Sequence, residues 1–155
     1  MIAADVLAGL RRHYHDAALV PEVVVSDFYA EWGEETFGDV PIRTRRIDVL
    51  MFHRQQRTAI EIKVSRDDAA RESWRKVWPF MAIVHRFVYA VPAGLIDRPP
   101  VSGCGLLWVH PDGLVEVKGK AKVNHSPEPL PQHVVQALAY RAAGRSEAPD
   151  TEAQP

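Results

Sequence analysis

The sequence predicts an α/β or α+β domain with a mixed central sheet and helices packed against it. Three observations support this fold class: an amphipathic segment at the start, a pair of alternating segments typical of a hairpin, and helical and strand-like segments in mixed order afterwards. With 155 residues the chain can fill one core, so we predict a single domain over residues 1–143. The composition of residues 144–155 is rich in Pro, Glu, Gln and Ala, which predicts a disordered tail.

The N-terminal segment predicts a helix followed by a strand. Apolar residues recur every four positions over residues 3–14, which is the spacing of one buried helical face. The β-branched run at residues 23–25, just after Pro21, predicts a strand. Residues 27–39 are acidic and contain two glycines, so we predict an irregular connection there.

The clearest pair of strands covers residues 45–52 and 58–64. Both segments alternate between apolar and polar residues, and the segment between them is polar, which is typical of a hairpin. If residues 53–56 form the loop, Phe52 pairs with Arg57. This register is firmly specified, because a slip of one residue would turn the apolar side chains towards solvent.

The same register predicts that two carboxylates and an ammonium group converge on one face of the hairpin. Val49 lies opposite Ile60 on the apolar face. Asp48 then lies opposite Glu61 on the other face, and Lys63 joins them because side chains two residues apart share a face. The burial of the apolar set therefore forces the three polar side chains together.

The sequence pattern after residue 64 predicts further helices and strands. Ser65 is expected to cap a helix that runs to about Trp78, where Pro79 follows. Trp74 and Trp78 lie one turn apart on this helix, and we predict that both belong to the core, with stacking on an unpaired base as the alternative. The remaining predicted elements are strands at residues 86–91, 105–109 and 114–117 and a last helix at about residues 132–143.

The composition excludes several classes of protein. No apolar run approaches the roughly 20 residues that a membrane-spanning helix needs. The first residues lack the pattern of a signal peptide, so we predict a cytoplasmic location. The single cysteine, Cys104, excludes an intramolecular disulfide and a cysteine-based metal cluster, and its apolar neighbours predict a buried thiol.

The basic residues are concentrated around the hairpin, although the whole chain has a net charge of −1. Residues 41–90 contain eleven Lys and Arg against five Asp and Glu. This distribution favours a phosphate-binding face, and solvated helix surfaces are the alternative explanation.

The chemistry of the predicted polar cluster is that of a divalent-metal site. Two adjacent carboxylates are unfavourable unless a cation neutralises them, and oxygen ligands suit Mg²⁺ or Mn²⁺. We therefore predict that Asp48 and Glu61 bind the metal and that the carbonyl of Ile62 adds a ligand. Lys63 would orient a water nucleophile or stabilise developing negative charge. A cross-strand ion pair on the surface is the simpler alternative.

These residues carry a resemblance to a known family. Arg-Ile-Asp at residues 46–48 and Ile-Glu-Ile-Lys-Val-Ser-Arg at residues 60–66 resemble the PD-(D/E)XK nuclease superfamily, in which an Asp and a (D/E)xK lie on adjacent strands. The chain most closely resembles the MmcB-like DNA repair proteins and related phage proteins, over about residues 21–122. The segments that support this closer resemblance are residues 61–68, 76–79, 85–92, 93–96 and 105–109.

The resemblance implies a restriction-endonuclease-like core and a nuclease that depends on Mg²⁺ or Mn²⁺ and acts in DNA repair, recombination or phage DNA processing. It implies Asp48, Glu61 and Lys63 as catalytic residues, together with a glutamate from the N-terminal part. Glu22 is our candidate for that glutamate, and the alternatives are Glu31, Glu34 and Glu35. The residues that we expect to contact DNA surround the site or lie on the helix that starts beside it: Arg46, Ser65, Arg66, Arg71 and Arg75.

Two other interpretations of the sequence stay open. The first is a non-catalytic module that binds DNA or a partner protein on a nuclease-like scaffold. The second is a chance match in an unrelated α/β protein. DNA is the main expected partner, a homodimer and a repair or replication protein are further possible partners, and no contact with a membrane is expected.

Overall fold

The computed structural model describes residues 1–26 and 45–145, and within them it contains a six-stranded mixed sheet and four helices. The predicted fold class is therefore confirmed. The predicted irregular connection at residues 27–39 and the tail beyond residue 145 lie outside the described residues. In chain order the elements are α1 (Ala3–His13), β1 (Ala18–Val25), β2 (Arg45–His53), β3 (Gln56–Ile62), α2 (Arg66–Ala70), α3 (Trp74–Met81), β4 (Arg86–Pro92), β5 (Gly105–Val109), β6 (Val115–Gly119) and α4 (Gln132–Ala142).

The six strands lie side by side in chain order, from β1 to β6. Strands β2 and β3 are antiparallel, β3, β4 and β5 run parallel to one another, and β6 returns antiparallel to β5. The parallel connection from β3 to β4 passes through α2 and α3, as a crossover between parallel strands requires. The carboxyl ends of β3 and β4 therefore meet at one edge of the sheet.

The chain divides into two compact units. The first consists of Met1–Val23 and Arg46–Glu128, and the second of Val24–Arg45 and Pro129–Pro155. Within the second unit, the Ser26 N–H donates a 3.0 Å hydrogen bond to Nε2 of His133 at the start of α4. All of the site described below lies in the first unit.

The β2–β3 hairpin has the predicted register, with Val49 paired to Ile60 and Phe52 paired to Arg57. Its turn is shorter than predicted, because His53 still pairs with Gln56 and only residues 54–55 form the loop. Both loop residues have positive φ, 51° and 63°, as a two-residue type I′ turn requires. The register is unaffected, since the extra pair removes one residue from each side of the predicted loop.

Helix α1 covers one face of the sheet and forms the core with it. Val6 and Leu10 of α1 are fully buried and belong to one cluster with Ile60 of β3, Ala90 of β4 and Val109 of β5. The alternation along β3 therefore directs Glu61, the neighbour of Ile60, to the opposite face. This alternation positions the polar cluster on the face away from α1.

Gly9 sets the distance between α1 and the sheet. A Cβ atom at this position would lie 2.5 Å from Cγ1 of Val109, a buried and rotamerically stiff side chain. We expect Gly9→Val to lower the free energy of unfolding by about 3 kcal/mol, as measured by urea denaturation. Ala8→Val on the exposed face of the same helix is the control, with an expected loss of only about 0.5 kcal/mol. Equal losses in both variants would contradict close packing at Gly9.

The predicted helix from Ser65 to Trp78 is wrong in its extent. It is two helices, α2 and α3, and Pro79 lies inside α3 instead of beyond its end. The predicted cap is confirmed, because the Asp68 N–H donates to Oγ of Ser65 at 3.1 Å. The helix is interrupted where Glu72 turns its carboxylate inwards, and α3 continues past Pro79 because Val77, Pro79 and Phe80 are buried.

Three smaller findings complete the comparison with the sequence. Cys104 is buried, as predicted, and burial raises the pKa of its thiol to about 11. Trp74 is 56% exposed, so its predicted place in the core is wrong. Among the described residues, no helix is long and apolar enough to cross a membrane.

Candidate active site

Asp48 lies where the ladder between β2 and β3 ends. The last pair of that ladder is Val49 and Ile60, and beyond it Oδ2 of Asp48 accepts a 2.9 Å hydrogen bond from the backbone N–H of Ile62. The carboxylate thus accepts from an N–H group of β3 that a backbone carbonyl of the neighbouring strand would otherwise accept from. This contact fixes the carboxylate of Asp48 against the strand that carries Glu61.

Lys63 lies between two carboxylates. Its Nζ is 3.1 Å from Oε1 of Glu61 and 3.0 Å from Oε1 of Glu72. The exposed fractions of the three side chains are only 15% for Lys63, 22% for Glu61 and 7% for Glu72. Ion pairs this far from bulk solvent are screened weakly by salt, so the three groups hold one another in place.

The surroundings of Glu61 disfavour its charged form. Burial raises the pKa of Glu61 to about 7, and the negative charge of Asp48 contributes to the rise, although Lys63 opposes it. For Lys63, burial acts to lower the pKa, but the carboxylates of Glu61 and Glu72 outweigh this effect and the pKa is raised. Lys63 therefore stays protonated at neutral pH, while Glu61 is close to the midpoint of its titration.

Glu72 is the residue of this site that the sequence did not single out. Besides the contact with Lys63, its Oε2 accepts a 3.1 Å hydrogen bond from the hydroxyl of Tyr89, which is fully buried on β4. Burial raises the pKa of the Tyr89 hydroxyl, and the charge of Glu72 adds to the rise. In the sequence Glu72 is one acidic residue in a charged helical segment, and nothing local distinguishes it from Asp67 or Asp68.

Glu22 has a different environment from the one predicted. Strand β1 begins at Ala18 and contains Glu22, which has a positive φ of 54°. Its side chain is 68% exposed and pairs with Arg46 at 3.4 Å. Among the described residues, the charged groups that act on Glu61 are Asp48, Lys63 and Glu72. The alternative glutamates, Glu31, Glu34 and Glu35, lie outside the described residues.

The residues predicted to contact DNA are distributed around the site. Arg46 is 57% exposed beside Glu22, and Ser65 caps α2. Arg66 donates from Nε to the backbone carbonyl of Leu95 at 3.0 Å. Arg71 is 70% exposed with Asp68 at 3.5 Å, and Arg75 is exposed on α3. The last two arginines flank the exposed Trp74 in the chain.

The donor set fits a small divalent cation held by two carboxylates. Asp48 and Glu61 carry carboxylate oxygens, the atom type that such cations prefer, and their mutual repulsion contributes to the raised pKa of Glu61. In residues 1–26 and 45–145, no three His, Cys, Asp or Glu side chains are placed to hold a metal ion together.

Comparisons with known proteins bear on the fold alone. No family model and no curated protein matches the chain. A solved structure described as "SPO1766 protein of unknown function from Silicibacter pomeroyi" matches with a TM-score of 0.60 and 21% identity. The match covers 90% of this chain and 84% of that chain, so the chain is similar in fold to this bacterial protein over nearly its whole length.

Proposed function

We propose that the protein is a metal-dependent deoxyribonuclease that hydrolyses phosphodiester bonds of DNA in repair, recombination or phage DNA processing. The observation that carries the proposal is that Asp48 bonds to the strand that bears Glu61 and its charge acts on Glu61, while Lys63 contacts both Glu61 and Glu72. A surface ion pair would not require the burial of these side chains. The resemblance to PD-(D/E)XK nucleases supports the reaction type.

Each residue has a separate role in the proposed reaction. Asp48 and Glu61 would hold Mg²⁺ or Mn²⁺, and the backbone carbonyl of Ile62 is the candidate for a further ligand. A cation held there would supply Lewis acidity for phosphodiester hydrolysis. Lys63 presents a protonated Nζ, fixed by Glu61 and Glu72, that can donate to the attacking water or to the developing negative charge.

The segment that joins β3 to β4 is the proposed surface for DNA. It begins at Ser65, directly after the site, and carries the exposed Arg71, Trp74 and Arg75. Arginine side chains contact phosphates without regard to sequence, and an exposed tryptophan beside them can stack on an unpaired base. These contacts favour single-stranded or branched DNA over a continuous duplex.

The proposal is tested by incubating the protein with single-stranded, duplex and branched DNA, with Mg²⁺, with Mn²⁺ and with a chelator. We expect cleavage only with a divalent cation, because two adjacent carboxylates must be neutralised before a phosphate can approach. Calorimetric titration with Mn²⁺ should give an affinity that Asp48→Asn weakens at least about tenfold. Cleavage that persists in chelator, or Mn²⁺ binding that Asp48→Asn leaves unchanged, would contradict the proposal.

A non-catalytic DNA-binding module is the second candidate. It is favoured by the engagement of Lys63, whose ammonium already uses two of its three N–H donors on Glu61 and Glu72. Binding of the same DNA substrates without cleavage under any metal condition would support this candidate against the nuclease.

A further inference from the structure

A second site is suggested by a cleft on the α1 face of the sheet, near the β2–β3 turn. The cleft has a volume of about 490 Å³, within the range of small-ligand sites. It lies at the amino ends of β4 and β5, whereas the site around Glu61 lies at the carboxyl end of β3 and on the other face. Its floor is apolar and is formed by Met51, Val88, Leu107 and Ala121.

Positive charge surrounds the apolar floor. Arg54, Arg86 and Lys120 line the cleft, and no Asp or Glu is among the described residues that line it. Arg86 donates to the amide oxygen of Gln56, a neutral partner. In the described part of the chain none of these three cations forms an ion pair, whereas five other lysines and arginines do.

One edge of the cleft is held in a defined geometry. His53 contacts Oδ2 of Asp16 through Nε2 at 3.1 Å, and Tyr14 packs against the His53 ring edge-on at 5.9 Å. Among the described residues Asp16 forms its ion pair with His53 and none with Arg54, Arg86 or Lys120, so these three cations are available to a ligand. A concave apolar surface with uncompensated cations at its rim binds anions that carry an apolar body.

We propose that this cleft binds a small organic anion: a phosphate or carboxylate held by Arg54, Arg86 and Lys120, with its apolar body on the floor of the cleft. The inference does not depend on nuclease activity, because none of the residues of that site takes part. The head group can be a phosphate, as in an alkyl phosphate, or a carboxylate, as in a medium-chain fatty acid.

The test is a fluorescence titration with 1-anilinonaphthalene-8-sulfonate, an apolar body with one anionic group, on the folded full-length protein. We expect saturable binding that Arg54→Asn with Lys120→Gln weakens at least about tenfold, because two charge-assisted contacts are lost. Asparagine is chosen at position 54 because it tolerates the positive φ of this turn. Arg11→Gln with Arg98→Gln, which removes two exposed cations outside the cleft, should bind the dye as the parent does.

Two competitors identify the head group. Displacement of the dye by octyl phosphate indicates a phosphate, and displacement by octanoate, which has a similar apolar chain, indicates a carboxylate. Val117→Trp places a large side chain at the lining of the cleft and should weaken dye binding in the same way. The proposal is overturned if the double charge variant binds the dye as tightly as its control, or if neither competitor displaces the dye.

Discussion

Replacement of Glu61 by glutamine is expected to lower the rate of DNA cleavage on the order of 10³-fold while making the fold more stable at neutral pH. The loss of activity follows from the loss of one of the two proposed metal ligands. The gain in stability follows from burial, because the charged carboxylate is disfavoured in the folded protein. Because activity falls while stability rises, the loss of activity cannot be attributed to unfolding.

The stability effect depends on pH in a defined way. The pKa of Glu61 rises from its ordinary value of 4.5 to about 7 on folding. Between these values the folded protein holds a proton that the unfolded chain has lost, so the free energy of unfolding falls as pH rises through this interval. Above pH 7 the folded protein bears the full free-energy cost of the buried charge. In chelator, Glu61→Gln should therefore raise the free energy of unfolding by about 2 kcal/mol at this pH. Below pH 4.5 the parent and the variant should have similar stability.

The measurements are chemical denaturation from pH 4 to pH 8 and cleavage rates with Mg²⁺. Glu116→Gln is the matched control, since it makes the same change in an exposed glutamate on β6, and it should retain the parent's cleavage rate. If Glu61→Gln cleaves DNA at the parent's rate, the assignment of Glu61 as a metal ligand fails. If the gain in stability from Glu61→Gln does not grow as pH rises from 4.5 to 7, the assigned cost of burying this charge is wrong.

Replacement of Glu72 by alanine is the second change with a large expected effect. It removes the carboxylate that accepts from both Lys63 and Tyr89 and leaves two buried polar groups without this partner. We expect the free energy of unfolding to fall by about 3 kcal/mol. Because Lys63 loses one of its two anchors, kcat for cleavage should fall about 30-fold, while KM for DNA stays unchanged because Glu72 has no proposed contact with DNA.

Tyr89→Phe separates the two roles of Glu72. It removes the hydrogen bond from the tyrosine hydroxyl but keeps the contact between Glu72 and Lys63. The free energy of unfolding should therefore fall by about 1 kcal/mol, with little change in kcat. Glu72→Gln should fall between Glu72→Ala and the parent in kcat, since an amide oxygen can accept from Lys63 without carrying charge. A kcat for Glu72→Ala equal to that of the parent would show that Glu72 does not position Lys63 for catalysis.

The hairpin could be predicted because the residues that specify it lie close together in the sequence. Two alternating segments around a polar turn define one register, and Phe52 with Arg57 and Val49 with Ile60 pair as the sequence indicates. The length of the turn was less predictable, because neither Arg54 nor Gln55 is a residue that favours positive φ.

The rest of the site depends on contacts between distant parts of the chain. Glu72 acquires its role only when the α2–α3 segment packs over β4 and meets Tyr89, and a helical pattern does not indicate which acid turns inwards. Trp74 was predicted as core from its spacing to Trp78, but the break before α3 leaves it exposed. Glu22 was chosen by its position after Pro21, whereas the local backbone directs it to Arg46.

The hydrogen bond from Ile62 to Asp48 has a consequence for how related chains can vary in length. Since each carboxylate is placed by its position along its own strand, a one-residue insertion within β2 or β3 would send Asp48 or Glu61 to the face covered by α1. Residues added at the turn, between positions 54 and 55, would leave both carboxylates where they are. We therefore expect insertions and deletions in functional homologues to occur in the loop at residues 54–55. The segments between each carboxylate and this loop should keep their length.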